Sequence, residues 1–508
     1  MNDLHRDLHT AWNSTFEKLA HKIANIPGSS ILIRYIASSY QDDPLRSILE
    51  LFLLLFAVRY FLASKYSTSK KNYVKLTEDE IDELIVDWEP EPLVKPIGEK
   101  QRRTLDSVPI IVNHNGPIVQ LEGEGSQEFI NLTSTDVYGI NRNLYIKQKA
   151  VESIRNYGVG SCGPAGFYGH QDAHGNCEAA IAKFLGTEGS ILYSQGFATA
   201  SSVIPCFLKR GDVIVADSKV NLGIQKGILL SRATVVWYKH NDMEDLEKSL
   251  IKANKLHRKG PLPRRFVITE GIFENTGESP DLPRIVQLKQ KYKYRLLLDE
   301  SYSLGILGKT GRGLPEEQQV ARTDIEITLG NLCAAFGSVG GFCAGSKTMV
   351  EHQRITSLAY TFSATMPAYL ANTTSEVLKF FSNQEFRSEH FTSLANKTKL
   401  FRKAVSISPY LTVTSRTDSP LLMIKPSNPA ADFQVDSASY IQDIIDICRQ
   451  KGVLVTRINH LAQHDLFGPE YAIKLFIAEA LDESQVHHAA NVVVQAFESR
   501  AKNQTLAR

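Results

Sequence analysis

Residues 324–341 read DIEITLGNLCAAFGSVGG, and the meaning of Gly337, Gly340 and Gly341 after the Ala334–Ala335 pair decides how the chain folds. Taken alone, the stretch is a Gly/Ala-rich buried turn. Its neighbours give it more content. Short, almost continuously apolar runs precede it: SILYS (190–194), DVIVADS (212–218), TVVWYKH (234–240), RRFVITEGIF (264–273) and YRLLLDES (294–301). Helical stretches separate them, which is the pattern of a mainly parallel sheet covered by helices on both faces, an α/β fold. A generic doubly wound fold accounts for that scaffold. It does not account for SQGF (194–197), TEGIF (269–273), DESYSLG (299–305), GRG (311–313) and the glycine turn arriving in that order.

The chain has 508 residues and 43% hydrophobic content, enough for a large core and two or three domains. With 57 basic against 55 acidic side chains the net charge is +2, which leaves no electrostatic footprint for a nucleic acid. The six cysteines, Cys162, Cys177, Cys206, Cys333, Cys343 and Cys448, form no C-x-x-C pair and no zinc spacing. They read as scattered reduced thiols. His487 and His488 have no carboxylate to complete a metal site, and none is expected.

Leu45 to Ala63 reads LRSILELFLLLFAVRYFLA, nineteen residues that are apolar apart from Arg46, Ser47, Glu50 and Arg59. That is the length of a membrane helix. Arg46 and Arg59 near its ends can snorkel, and Tyr60 suits the interface. A single span is expected, with an interfacial amphipathic helix or a buried soluble helix as alternatives. Lys65, Lys70, Lys71 and Lys75 follow it, whereas Asp42 and Asp43 precede it, so the body is expected in the cytosol and residues 1–44 in the lumen. No removable signal peptide is expected. Residues 64–106 form a connector and surface arm, in which Thr77 and Glu80 predict a capping box and Pro90 and Pro92 stop a short helix.

From residue 107 to 168 the chain predicts a small sheet with turns at Asn115–Gly116 and Gly123, then a glycine loop over 158–169. A helix is expected to start near Gly175, with Glu178 in its first turn. A large domain runs over 169–405 and ends in a long helix over 368–405. A smaller C-terminal α/β domain covers 406–508.

The ordered motifs resemble the alpha-oxoamine synthase family of pyridoxal-phosphate (PLP) enzymes, of fold-type I, the aspartate aminotransferase-like transferases. The resemblance implies a lysine three residues before the first glycine of the turn, where this chain has Ala334. An alanine cannot form the imine that holds the aldehyde, and Lys347 lies past the turn. Also implied are a histidine that stacks on the PLP ring (His174, followed by Cys177 and Glu178) and a carboxylate for the pyridine nitrogen (Asp299). Ser194–Thr199 matches the phosphate cradle. The segment Tyr360–Pro367 matches one that crosses to a neighbouring subunit's phosphate, with Ser363 as the donor. Cys162, Gly163 and Tyr168 belong to the loop over the substrate. The chain departs from the family at Asn221 and Tyr302, both histidines there. Ala165 stands where relatives often have a basic residue, and Asn459 stands where a substrate-clamping arginine is expected, with Arg457 two before it.

A lysine-less PLP fold with a membrane anchor is similar to one kind of member, the non-catalytic half of an obligate heterodimer. Its lysine-bearing second subunit would hold PLP and condense L-serine with palmitoyl-CoA to 3-oxosphinganine in the endoplasmic reticulum membrane. Small activating and regulatory membrane subunits are further implied partners. Two alternatives stand beside it: an independently active acyltransferase using another lysine, and a purely structural anchor for a partner.

Overall fold

The computed structural model describes residues 29–31, 34–35, 38, 43–62, 76–256, 262–427, 437–458, 460–461, 463–468 and 471–506. They belong to two compact units, 1–97 and 98–508.

In the first unit, the apolar run forms a 19-residue helix, Pro44–Leu62, whose described side chains are almost all exposed. Among the described residues no helix is long and apolar enough to cross a membrane. Arg46, Glu50 and Arg59 all fall within the nineteen positions, and each charge is costly in hydrocarbon. The span expected over 45–63 therefore meets the length requirement without meeting the apolar one. Ala63 and the four lysines after it lie outside the described residues. The helix Glu78–Asp87 begins as its sequence predicts. The Thr77 hydroxyl accepts from the Glu80 N–H (3.3 Å) and the Glu80 carboxylate accepts from the Thr77 N–H (2.8 Å).

In the second unit the helix Glu99–Asp106 is followed by strands β1 (Ile111–Asn115), β2 (Ile118–Leu121) and β3 (Glu128–Asn131). Then follow β4 (Gly189–Tyr193), β5 (Val213–Asp217), β6 (Thr234–Tyr238), β7 (Arg265–Glu270), β8 (Arg295–Asp299), β9 (Ile327–Asn331) and β10 (Gly341–Gly345). It closes with β11 (Leu411–Val413), β12 (Leu421–Pro426), β13 (Val453–Leu454), β14 (Thr456–Arg457) and β15 (Ile473–Phe476). The main sheet has the order β4-β10-β9-β8-β7-β5-β6, parallel except that β10 runs against both neighbours. Its central strands are buried on both faces, which is why VIVAD and LLLD carry no polar alternation.

The small sheets tie the ends of the unit together. β13 pairs in parallel with β3, Val453 opposite Ile130, so residues from the 107–168 and 406–508 segments share one sheet. Phe401 and Val405 of the helix Thr392–Val405 enter the same core as Ile473, Val486 and Phe497. The single helix expected over 368–405 is broken at Asn383. Its side chain accepts from the Glu385 and Phe386 N–H groups and starts a new turn after the helix Ala368–Ser382.

Candidate functional site

The turn after β9 closes on itself through the Leu332 N–H to Gly340 carbonyl and Ser338 N–H to Leu332 carbonyl bonds, both 2.9 Å. Gly340 has φ +102°, and a Cβ there would come 2.5 Å from the Tyr193 carbonyl oxygen. At Gly337 (φ +60°) a Cβ would strike Ile140 at 2.7 Å. Only glycine fits both positions. Within this constrained turn Ala334 is buried, at 7% exposure.

The turn stands at the carboxyl end of the parallel strands, where open α/β sheets place their crevices. A cavity of about 290 Å³ opens there. Its lining includes Asn221 after β5, Asp299 at the end of β8, Ser301, Tyr302 and Asn331. The helix Gly196–Phe207 starts against it, and the Asn331 carboxamide lies on that start: a Cβ on Gly196 would be 2.7 Å from Nδ2. Asp299 is spent on internal partners. One oxygen accepts from the Ser301 N–H and hydroxyl, the other from Asn221 Nδ2 at 3.1 Å. Burial pushes its pKa up against those hydrogen bonds. Neighbouring Glu270, which accepts from the Asn221 and Glu274 N–H groups, is pushed well above the carboxylate range by burial and then by the Asp299 charge.

PLP carries a phosphate with about −1.5 to −2 charge at neutral pH, on the scale of other phosphate monoesters. The carboxylates lining this cavity are Glu274, Asp299 and Asp465, with no lysine or arginine among the lining residues. With Ala334 in the turn and Asn331 on the helix start, the residues of this chain do not fit a covalently held PLP. One cation that sequence reasoning missed, Lys474 of β15, stands behind the wall. Its ammonium pairs with Glu274 at 3.1 Å and lies 5.0 Å from the Tyr302 ring centre. Tertiary pairing put it there, and no motif marks it.

The loop 274–278 that carries Glu274 and Asn275 is held by His240, bonded through Nδ1 to Asp217 and through Nε2 to Glu278, both at 2.8 Å. Burial opposes its charge, but the hydrogen bond and charge of Asp217, then Glu278, outweigh it and raise the pKa. A raised folded-state value means that this stabilisation is complete below the unfolded value of about 6.5 and is lost as pH rises through the folded value. Urea unfolding between pH 5.5 and 8.5 should show that loss, and His240→Asn should remove this part of the slope. An unchanged slope in the variant would refute the assignment.

A second cluster gathers the other predicted residues. Ser161 Oγ donates to the Thr365 carbonyl (2.7 Å), the Thr365 N–H donates to the Gly163 carbonyl (3.0 Å), and Pro164 bridges Ala364. The Cys162–Tyr168 loop is thus laced to the segment carrying Ser363. Ser363 and Ala165 line one narrow hollow, whereas Cys162 (φ 55°) and Tyr168 are exposed.

His174 lies beneath this lacing, fully buried, and it is not among the residues lining the cavity. Its Nδ1 accepts from the Gln171 N–H (3.0 Å) and its Nε2 faces the Met366 carbonyl at 2.7 Å. Burial lowers its pKa, which favours the neutral ring donating to Met366. The helix it caps starts at Asp172, not near Gly175, because Gln171 and His174 close the first turn. Glu178, one turn further in than expected, takes the Leu192 N–H at 3.1 Å and Arg354 at 2.6 Å. It fastens the helix to β4. Arg457 does not line the cavity, and Asn459 is outside the described residues.

The aminotransferase class I and II family matches residues 127–493. Serine palmitoyltransferase 1 of Saccharomyces cerevisiae is 41% identical over 79% of this chain and 75% of its own length. Long chain base biosynthesis protein 1 of Arabidopsis thaliana is 36% identical over 82% and 84%. Among solved structures, the Sphingomonas wittichii serine palmitoyltransferase superposes with a TM-score of 0.69 at 20% identity, over 79% of this chain and 97% of that one. The 8-amino-7-oxononanoate synthase of Francisella tularensis gives 0.59 at 21%, over 74% and 99%. These two superpositions speak for the fold, that of the fold-type I PLP enzymes. The sequence matches carry the further conclusion that the chain belongs to the aminotransferase class I and II family, alongside the serine palmitoyltransferase 1 proteins.

Proposed function

We propose that this chain is the lysine-lacking, non-catalytic but required subunit of a serine palmitoyltransferase, in an obligate heterodimer with a lysine-bearing second subunit that holds PLP. The complex condenses L-serine with palmitoyl-CoA to 3-oxosphinganine, releasing carbon dioxide and CoA, in sphingolipid synthesis. The observation that carries this reading is Ala334, buried in a turn whose glycines are all retained. The names of the relatives in yeast and Arabidopsis support the reaction. On the partner's lysine, PLP supplies an electron sink. This chain supplies the far wall of that pocket, with Ser363 as a hydrogen-bond donor and the Cys162–Tyr168 loop over the substrate. In support, Phe167, Tyr168, Ile355, Leu358 and Phe362 expose most of their apolar surface on and beside these segments, as an unpaired interface does.

Ser363→Ala in the purified complex is expected to weaken PLP retention by about 1–2 kcal/mol, the worth of one charge-assisted hydrogen bond. A bulky replacement of Cys162 should crowd the loop and change the relative rates with serine and alanine. PLP occupancy and both condensation rates, measured at matched stoichiometry, decide. Wild-type values in both variants would reject the shared pocket.

For attachment, we propose that the helix Pro44–Leu62 is a single span of the endoplasmic reticulum membrane, with the N-terminus lumenal and the body cytosolic. Arg46 and Arg59 stand near the two ends of the stretch in sequence, where long cationic residues are tolerated beside a membrane. The exposed side chains from Leu51 to Phe56 support a lipid-facing surface. Deleting residues 45–63 is expected to move the chain, expressed alone, into the carbonate-soluble fraction; undiminished membrane retention would place the anchor elsewhere.

A further inference from the structure

We propose a second ligand site at the opposite end of the main sheet, an apolar cleft that binds a single-chain fatty-acid anion. The inference goes beyond the function proposed above and does not rest on it. The cleft encloses about 320 Å³, near the lower end of the usual range for ligand sites. Its apolar lining is Phe207, Phe266, Ile327 and Met349, with Thr348 and His352, whose Nε2 faces the Cys206 carbonyl at 3.2 Å, beside them, and its rim carries Arg264 and Arg295. Arg295 and Ile327 are the first residues of β8 and β9, whereas Asp299 and Asn331 are the last. At about 3.3 Å per residue the two sites are roughly 13 Å apart along the strands.

The rim is built rather than incidental. Arg264 is held by its Nη1 donating to the Phe207 carbonyl (2.7 Å) and its N–H donating to Asp212 (2.8 Å). Arg295 extends over the Phe266 ring, 6.0 Å from its centre. Among the described residues the guanidinium partners are the Phe207 carbonyl for Arg264 and the Phe266 ring for Arg295, neither of them a carboxylate. The floor has almost nothing to satisfy a polar group, so the inserted part of the ligand is hydrocarbon. Two guanidiniums at the mouth, neither with a carboxylate partner, suit a planar carboxylate, which arginine binds in fork geometry. The volume suits one alkyl chain rather than a two-chain lipid.

The test titrates dodecanoate, below its micellar concentration, into the purified full-length chain by calorimetry. Arg264→Ala with Arg295→Ala should weaken saturable binding about tenfold or more, as loss of two charge-assisted contacts requires. Thr348→Trp, at an exposed position on the cleft wall, should block it while leaving both arginines in place. Dodecyltrimethylammonium, with the same chain and the opposite charge, should bind about tenfold more weakly or worse. Equal affinity for the cation, or dodecanoate binding unchanged in both variants, would overturn the proposal. So would arginine-dependent adhesion to phosphatidylserine vesicles with no dodecanoate binding, which would make the cleft a membrane contact. Self-association abolished by Thr348→Trp without dodecanoate binding would make it a protein interface and overturn the proposal equally.

Discussion

Expressed without a partner, incubated with PLP and treated with borohydride, this chain is expected to yield no pyridoxyl-lysine peptide and no imine absorbance. The effect is all or none, because it rests on the absence of an amine from the turn and of any cation from the cavity lining. Ala334→Lys should not restore the adduct to the level of a working site. A lysine there would restore the amine but neither free the helix start from Asn331 nor relieve the repulsion between a phosphate and Glu274, Asp299 and Asp465. The informative failure would be an adduct on Lys474. That residue is largely buried, adjoins the cavity wall through Tyr302 and Glu274, and would have to leave its ion pair to react. A Lys474 adduct in the wild-type chain would revive the reading of an independently active enzyme.

Phe381→Ala is expected to cost about 3–5 kcal/mol, the range for removing a fully buried aromatic from a packed core. Phe381 is wholly buried among Tyr138, Phe336 and Phe391, with ring centres at 5.5, 5.5 and 5.6 Å. The site is not one that collapses easily. Tyr138 is tied by its hydroxyl to the Gly305 carbonyl at 2.6 Å, and Phe336 sits in the glycine turn itself. A loss of that size is a large part of the 5–15 kcal/mol available to a typical protein. Urea unfolding followed by tryptophan fluorescence measures it. A loss below about 1 kcal/mol would mean that the aromatic cluster rearranges to fill the space.

The strands and the glycine turn were legible because their causes are local. A strand buried on both faces must be continuously apolar, and a backbone at positive φ beside a carbonyl oxygen must be glycine. The same reasoning gives the GRG segment its explanation. Gly313 has φ +84°, and a Cβ there would meet the buried Glu300 carboxylate at 1.7 Å, so the motif serves the scaffold. The helix Pro44–Leu62 was legible in its length. Its three charges, visible in the sequence, are also what keep it from being apolar enough.

From its residues alone this chain determined an α/β sheet and the end of β8 at Asp299, each from side-chain chemistry read over a few consecutive positions; that Ala334 stands where a lysine is expected is what the family resemblance implies. The tertiary structure decided which of the marked residues meet. It placed Asp299 with Asn221 in one cavity, and it laced Ser161 to Thr365 across 204 residues of chain, beside Ser363. It also turned His174 into a cap whose two ring nitrogens face backbone groups, and it brought the unmarked Lys474 to the back of the cavity. Such meetings depend on which strand pairs with which and on what burial demands of a ring nitrogen or an ammonium, and neither is written in the spacing of residues along the chain.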